Sequence, residues 1–401
     1  MTDAKPFDTL DDLDVGGRRV LVRIDLNVPI DDVGEVADDT RIQHLTPTLT
    51  ELAERGARVV LMSHLGRPKG RRDDDLSLGF LAMPLSQALG GADVAMISDC
   101  IGAGVEKAVE ALRPGQFALL ENLRFHPGEE KNDPAFADKL ARLGDLYVND
   151  AFSVSHRAHA SLVGVAERLP HAAGRLMQAE LEALEKALGN PARPVMAIIG
   201  GAKVSTKLEL LANLIDKVDV LAIGGGMANT FLHAQGHDIG KSICESDMAE
   251  KARAILAKAK AADCDVILPS DAVVMAEGGT AQPAIVPVDD VPPDSMILDI
   301  GPETADTIGN RIPLCKTVIW NGPLGMFETP PFDTSTVLLA RTTAAMTRAG
   351  ALVSVAGGGD TVAALVHAGA EGGFTYVSMA GGAFLEWMEG RALPGVEALK
   401  T

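Results

Sequence analysis

The sequence predicts an α/β protein built from two doubly wound, parallel-sheet (Rossmann-like) domains joined by an interdomain helix and hinge. Three observations carry that expectation. The chain has 401 residues, more than one hydrophobic core usually organises, which favours two domains. Twelve short apolar, β-branched runs recur along it, and most adjoin an alanine- and leucine-rich stretch of helical period, such as residues 45–56 or 206–215. The runs are continuous rather than alternating, the pattern of parallel strands covered by helices on both faces.

In chain order the predicted strands are RVLVRI, ARVVLM, DVAMI, FALL and LYV in the first half. The second half supplies PVMAII, VDVLAI, DVIL, SMILDI, KTVIW, ALVSVA and FTYVSM. Between the halves, residues 173–189 set Leu176, Met177, Leu181, Leu184 and Leu188 along one stripe, place Glu182 four residues before Lys186, and run into Asn190 and Pro191. This is one amphipathic helix, equally compatible with a surface crossover and with a rigid connector. Its position gives the expected division: a first domain over 1–172, the helix over 173–189, and a second domain from 190.

Composition excludes several functions. The net charge is -19, from 36 basic and 55 acidic residues, which repels nucleic acid and anionic membranes; an anionic ligand has to be drawn by a local basic cluster. An aromatic content of 4% leaves little to stack on single-stranded bases. Cys100, Cys244, Cys264 and Cys315 form no CxxC pair, which suits free thiols in the cytoplasm. The first residues are acidic and mixed, and no apolar run approaches bilayer length, so neither an export signal nor a membrane anchor is expected.

Chemistry is sought at the carboxyl ends of the strands, where ligands bind in open α/β sheets. In the first half those ends carry Asp25 and Asn27, then His64, Gly66 and Arg67, then Asn122 and Arg124, then Asn149 and Asp150 leading to His156, Arg157 and His159; Arg41 stands in the TRIQ segment. One strand-end arginine is an ordinary surface ion pair. Four or five at one topological edge predict a pocket for a small, highly charged anion, because guanidinium grips phosphate and carboxylate in a fork. His156 and His159 lack a cysteine or carboxylate at zinc-ligand spacing, so no metal is expected there.

The second half ends its strands in glycine: IIGGAKVSTK, AIGGGMANTF, DIGPET, IWNGPLGMFE and VAGGGDT. Glycine lets backbone approach a phosphate, and the following helix turns free N–H groups toward it. Lys203 and Lys207, four apart near a predicted helix start, are expected on one face, within reach of one phosphate chain. Asp360 and Thr361 stand where a helix N-cap belongs. A carboxylate beside a polyphosphate also implies an intervening magnesium ion, and Glu328 is placed to hold ribose hydroxyls.

Two motifs are present only in part. GHDIGKS at 236–242 has one residue too few between its glycines for a phosphate-binding P-loop, and GAGVEKA at 102–108 has Lys107 where a dinucleotide fingerprint needs its third glycine. No protein-kinase catalytic loop occurs. An NAD-dependent dehydrogenase is therefore the weaker enzymatic reading, separable by cofactor titration, and a non-catalytic scaffold is the reading from another class, separable by assay.

Taken together and in order, RIDLNVP, SHLGRP, ENLRFHPGEE, NDAF, HRAHAS, GGAKVSTK, GGGMANTF, NGPLGMFE and GGGDT resemble phosphoglycerate kinase over essentially the whole chain. The resemblance implies a first domain that binds 3-phosphoglycerate through Asp25, Leu26, Asn27, Arg41, His64, Leu65, Gly66, Arg67, Arg124 and Arg157. It implies a second domain, to residue 386, that binds ATP or ADP through Lys207, Glu328, Gly358, Gly359, Asp360 and Thr361, with Mg2+ at Asp360 partly through nucleotide phosphates. Arg41, Lys203 and Lys207 are the implied catalytic residues, and residues 387–401 are implied to return to the first domain. A glycolytic, cytoplasmic monomer with hinge bending follows from the same resemblance. The segment SVS at 153–155 departs from a family stretch that more often contains glycine, which touches loop geometry and leaves Arg157 in place.

The implied acceptor, a carboxylate with an ordinary pKa of roughly 4, is already ionised at neutral pH. No general base is needed; the barrier is the approach of two anions and the charge that builds on the transferring phosphoryl group.

Overall fold

The computed structural model describes residues 6–278 and 282–400. All twelve predicted runs are strands, and the strands are β1 (Arg19–Arg23), β2 (Arg58–Met62), β3 (Val94–Ile97), β4 (Phe117–Leu120), β5 (Leu146–Asn149), β6 (His171–Ala173), β7 (Val195–Ile199), β8 (Val220–Ile223), β9 (Asp265–Ile267), β10 (Asp271–Ala276), β11 (Ala284–Pro287), β12 (Ser295–Ile300), β13 (Thr317–Asn321), β14 (Val353–Gly357) and β15 (Tyr376–Ser378). The described residues divide into two compact units, one reaching Leu181 and including those from Ala392, the other spanning Glu182–Arg391.

In the first unit six strands pair in the order β3-β4-β2-β1-β5-β6, every pair parallel. The strands are continuous in apolar residues because both faces are covered. Val20, Val22, Ile24, Val59, Leu61, Leu119 and Val148 are buried with Leu45, Leu49 and Leu52 of the helix Thr40–Glu54, each such side chain contributing about 1.5–3 kcal/mol by leaving water. With its apolar positions satisfied in this way, the sheet presents its carboxyl edge as the place where polar residues collect. The end of the chain belongs here too: Gly395 donates its N–H to Ser155 O at 2.8 Å, Asn149 Nδ2 donates to Gly395 O at 3.2 Å, and Leu393 and Leu399 are buried.

The amphipathic stretch at 173–189 is an α-helix over Arg175–Leu184 that continues as a wider turn over Glu185–Gly189. Its first turn is anchored from the first unit, where Asp150 Oδ1 accepts the Met177 N–H at 2.9 Å and Thr48 Oγ1 accepts the Arg175 N–H at 2.8 Å. These satisfy donors that a helix start otherwise leaves open. The Arg175 guanidinium bridges Glu51 at 2.7 Å and Asp11 at 2.6 Å. The division between the units falls inside this helix, between Leu181 and Glu182.

In the second unit a six-stranded sheet runs β15-β14-β13-β7-β8-β9, again all parallel. From β7 the chain winds outward through β8 and β9, then restarts on the other side of β7 at β13, so a topological switch point lies between β7 and β13. A correction concerns SMILDI. It is β12 of a separate three-stranded sheet, β11-β10-β12, and pairs antiparallel with β10. Four of its six residues are apolar, yet Met296, Ile297 and Leu298 are only half-buried, because they line an open cleft.

Candidate active site

At the carboxyl edge of the first sheet, the chain leaving β1 turns at Asp25, whose Oδ1 accepts the Asn27 N–H at 3.0 Å. Its other oxygen accepts from Ser153 Oγ at 2.5 Å and forms an ion pair with Arg41, from the first turn of the helix Thr40–Glu54. Burial works to raise the Asp25 pKa, but the Arg41 charge and these hydrogen bonds hold it below the ordinary carboxylate range. Leaving β2, His64 lies with Nδ1 3.1 Å from Nη2 of Arg23. Burial, then the Arg23 charge, push its pKa well below that of a free histidine. The imidazole is neutral, Nδ1 accepts, and the proton is on Nε2.

The next residues are set by backbone. Leu26 and Leu65 are buried and offer only main-chain groups; Asn27 Oδ1 accepts the Gly66 N–H at 2.9 Å, and Asn122 Nδ2 donates to Leu65 O at 2.8 Å. Arg124 Nη1 donates to Gly66 O at 2.9 Å, so the ends of β1, β2 and β4 are cross-linked around one turn. Arg67 leaves that turn into solvent, and Arg157 is likewise exposed; neither side chain has a hydrogen bond or ion pair among the described residues. His159 is pushed down to about 3 by burial and by the charges of Arg124, Arg23 and Arg157. Arg41, His64, Arg124 and Arg157 therefore belong to one electrostatic cluster, and Arg67 adjoins it. Its uncommitted donors are those facing water.

Behind the cluster stand residues that sequence reasoning missed. Arg23 is fully buried, donates from Nε to Ser161 Oγ at 3.0 Å and from Nη1 to Ile24 O. Ser161 Oγ in turn donates to Glu129 Oε1 at 2.6 Å, and its N–H to Oε2 at 3.0 Å. Burial raises the Glu129 pKa, opposed by Arg23 and by the Ser161 bonds. The available signal was a cation inside an apolar strand, RVLVRI, which a buried position tolerates only with partners.

In the second unit, Gly200 follows β7 and Gly322 follows β13, on either side of the switch point. Gly322 has φ 100°, and a Cβ there would lie 2.3 Å from Gly200 O; only glycine lets the two strand ends approach so closely. Lys207 Nζ bridges them, donating to Gly200 O at 2.5 Å and Asn321 O at 3.1 Å. Burial pushes its pKa down to about 8, partly offset by Asp360. A cleft of about 270 Å3 opens here, with apolar walls that include Ile243, Leu298 and Met326 and with Glu328 and Asp360 at its polar parts.

Two expectations about this unit are corrected. Lys203 and Lys207 do not share a helical face: the helix is Leu208–Ile215, with Lys207 at its N-cap. Residues 203–206 instead make local turns, in which Glu245 accepts the Ser205 N–H at 2.9 Å and its hydroxyl at 2.5 Å and Thr206 Oγ1 donates to Lys203 O at 2.9 Å; such bonds compete with helix. Lys203 is exposed and acts on Glu245. Asp360 and Thr361 are not caps either. The N-cap is Gly358, at φ 102°, a turn that places Gly359, Asp360 and Thr361 in the first helical turn with N–H groups lacking intrahelical acceptors. Thr361 Oγ1 is occupied, donating to Gly357 O at 2.8 Å and accepting the Gly322 N–H at 2.7 Å. The Asp360 carboxylate is exposed and has no hydrogen bond or ion pair among the described residues.

The family model described as phosphoglycerate kinase matches residues 10–391. The chain belongs to the phosphoglycerate kinase family. Proteins of that name from Rhizorhabdus wittichii and Brucella abortus are each 60% identical to it, the first over 98% of this chain and 100% of its own length, the second over 98% and 99%. The solved phosphoglycerate kinase of Coxiella burnetii superposes with a TM-score of 0.90 at 41% identity, covering 98% of this chain and 99% of its own. That of Pyrococcus horikoshii OT3 gives 0.79 at 31% identity, covering 98% of each. The family's reaction is a phosphoryl transfer between ATP and the carboxylate of 3-phosphoglycerate, and this chain is an enzyme of that reaction.

Proposed function

We propose that the first unit holds 3-phosphoglycerate at the β1, β2, β4 and β5 strand ends and that the second unit holds the nucleotide at the β7–β13 switch point. The observation that carries this reading is the contrast between the two strand-end sets. In one, Arg41 acts on Asp25, Arg124 on His64, and Arg124 with Arg157 on His159, and the exposed Arg67 follows the turn that Arg124 holds; the other combines a glycine-lined cleft, a bridging lysine and a helix start.

In this reading Arg67, Arg124 and Arg157 bind the phosphate and carboxylate of phosphoglycerate, and His64 donates from Nε2. Asp25 and Asn27 orient the hydroxyl and the turn, while Leu26, Leu65 and Gly66 contribute backbone. Arg41 and Lys203 meet the transferring phosphoryl group and Lys207 the nucleotide phosphates; Gly358, Gly359, Asp360 and Thr361 offer N–H donors, and Glu328 binds ribose. Positioned cations offset the charge that develops in transfer, which is the main contribution open to a protein in this chemistry.

Magnesium fits the donor set: Asp360 is an exposed, unpartnered carboxylate at the cleft, the hard oxygen ligand such an ion takes together with substrate phosphates. When bound, the ion supplies charge neutralisation on the phosphate chain. Because each ligand is assigned to a different unit, turnover requires hinge motion that brings both within reach and excludes water. A location in the cytoplasm accords with free cysteines; no helix of the described residues is long and apolar enough to cross a membrane. The test is ADP formation dependent on 3-phosphoglycerate, assayed with and without Mg2+. Activity that is lost to a chelator and restored by Mg2+ is expected; activity indifferent to the metal would refute the Asp360 role.

A further inference from the structure

Two residues beyond Arg124, the turn that follows β4 meets the end of the edge strand β3, and there three unlike ligand atoms come together. Asp99 and Cys100 come from the end of β3 and His126 from the turn, and one ligand atom of each lies within 4.8 Å of the others. We propose that Asp99, Cys100 and His126 form a second metal site, one that takes a zinc-like transition-metal ion.

Each group is held in place by its surroundings. His126 stacks on Phe136 with ring centroids 5.3 Å apart, and its Nε2 lies 2.7 Å from Asp99 Oδ1. The same oxygen accepts the Cys100 N–H at 2.7 Å, which fixes the carboxylate beside the thiol. Cys100 is buried, and it forms no disulfide. Burial, then the negative charges of Asp99, Glu129 and Glu121, push the pKa of that thiol well up; the same charges favour a cation beside it, which offsets the cost of the thiolate. The opposing positive group, Arg72, is already committed to Asp74 at 2.9 Å and Glu121 at 3.5 Å, with its guanidinium over Phe125.

The donor set decides the class of ion. One sulfur, one imidazole nitrogen and one carboxylate oxygen are a zinc set, and magnesium or calcium would take oxygen alone. Bonds of about 2.0–2.3 Å in tetrahedral geometry separate donor atoms by roughly 3.3–3.7 Å. The cluster thus needs only to contract by about an ångström at its widest and to open the His126–Asp99 contact by about half an ångström. On binding, the ion replaces the His126–Asp99 contact and the thiol proton: Cys100 gives its proton to solvent, and any proton on the coordinating His126 nitrogen leaves it for the other ring nitrogen or for solvent. Two negative ligands then balance the divalent charge, and water takes the fourth position. The ion would tie the sheet edge to the segment bearing Arg124 and Glu129.

The test is titration of the full chain, free of nucleotide, with Co2+ alone, read by the thiolate-to-cobalt charge-transfer absorption and its displacement by Zn2+. One equivalent should give the band. Cys100→Ser should lose it, and Cys264→Ser should keep it. His126→Asn, its fold checked by circular dichroism against the unaltered chain, and Asp99→Asn should each weaken Co2+ binding by at least the roughly 10–100-fold that follows loss of even an outer-shell partner. Absence of the band in the unaltered chain, its survival in Cys100→Ser, or unchanged affinity in His126→Asn would each overturn the assignment.

Discussion

Lys207 offers a prediction whose size follows from the site itself. Its ammonium donates to two strand-end carbonyls, and burial lowers its pKa from 10.5 to about 8, with only Asp360 working the other way. At pH 8 the free enzyme therefore holds about half a proton on this group. Nucleotide phosphates beside Nζ favour the charged form and raise the pKa again. If the bound value returns near 10.5, occupancy at pH 8 approaches one, and binding takes up about half a proton. At pH 7 the lysine is already about nine-tenths protonated, so uptake falls to about a tenth. Titration calorimetry of Mg-free ADP in buffers of differing ionisation enthalpy measures this number directly, and at pH 8 phosphate protonation contributes little. Lys207→Met should abolish the uptake. No uptake at pH 8 in the unaltered enzyme, or the same uptake in Lys207→Met, would refute the argument.

Two further outcomes follow. Arg41→Ala should lower kcat by roughly 10³ to 10⁵ while changing the KM for phosphoglycerate far less, the signature of a cation that acts on the transferring group; steady-state kinetics decide, and near-normal turnover would contradict the role. Arg23→Met should destabilise the first unit by about 3–5 kcal/mol, because it leaves the buried Glu129 without its compensating charge; denaturant unfolding measures the loss, and Glu129→Gln in the same background should restore part of it.

Much of this was legible in the sequence because strand and helix runs are continuous and their ends are polar. RIDLNVP and SHLGRP announce a strand end by chemistry as well as by pattern, and the structure joins them through Asn27 and Gly66. What escaped was set by tertiary context. Arg23 looked like strand because its partners, His64 and Ser161, lie 41 and 138 residues away. DAVVMA, the strand β10, follows DVIL so closely that it offered no separate signal; its antiparallel partner β12 then passed for another parallel strand. Lys203 and Lys207 have helical spacing, but Glu245, forty residues on, holds Ser205 between them in a turn. Asp360 resembled an N-cap because the left-handed turn at Gly358, which moves the cap back two residues, is a backbone fact that three consecutive glycines do not specify.

The central claim, that the two anions are recognised by separate sets of residues on separate units, is tested most directly by calorimetric binding of each ligand to Arg157→Met and to Asp360→Asn. Loss of a charge-assisted contact of about 1.5–3 kcal/mol should weaken phosphoglycerate binding by roughly 10- to 150-fold in the first variant, with Mg-ADP affinity unchanged, and the reverse selectivity should appear in the second. Both ligands weakening together in either variant, or neither responding in both, would contradict the account.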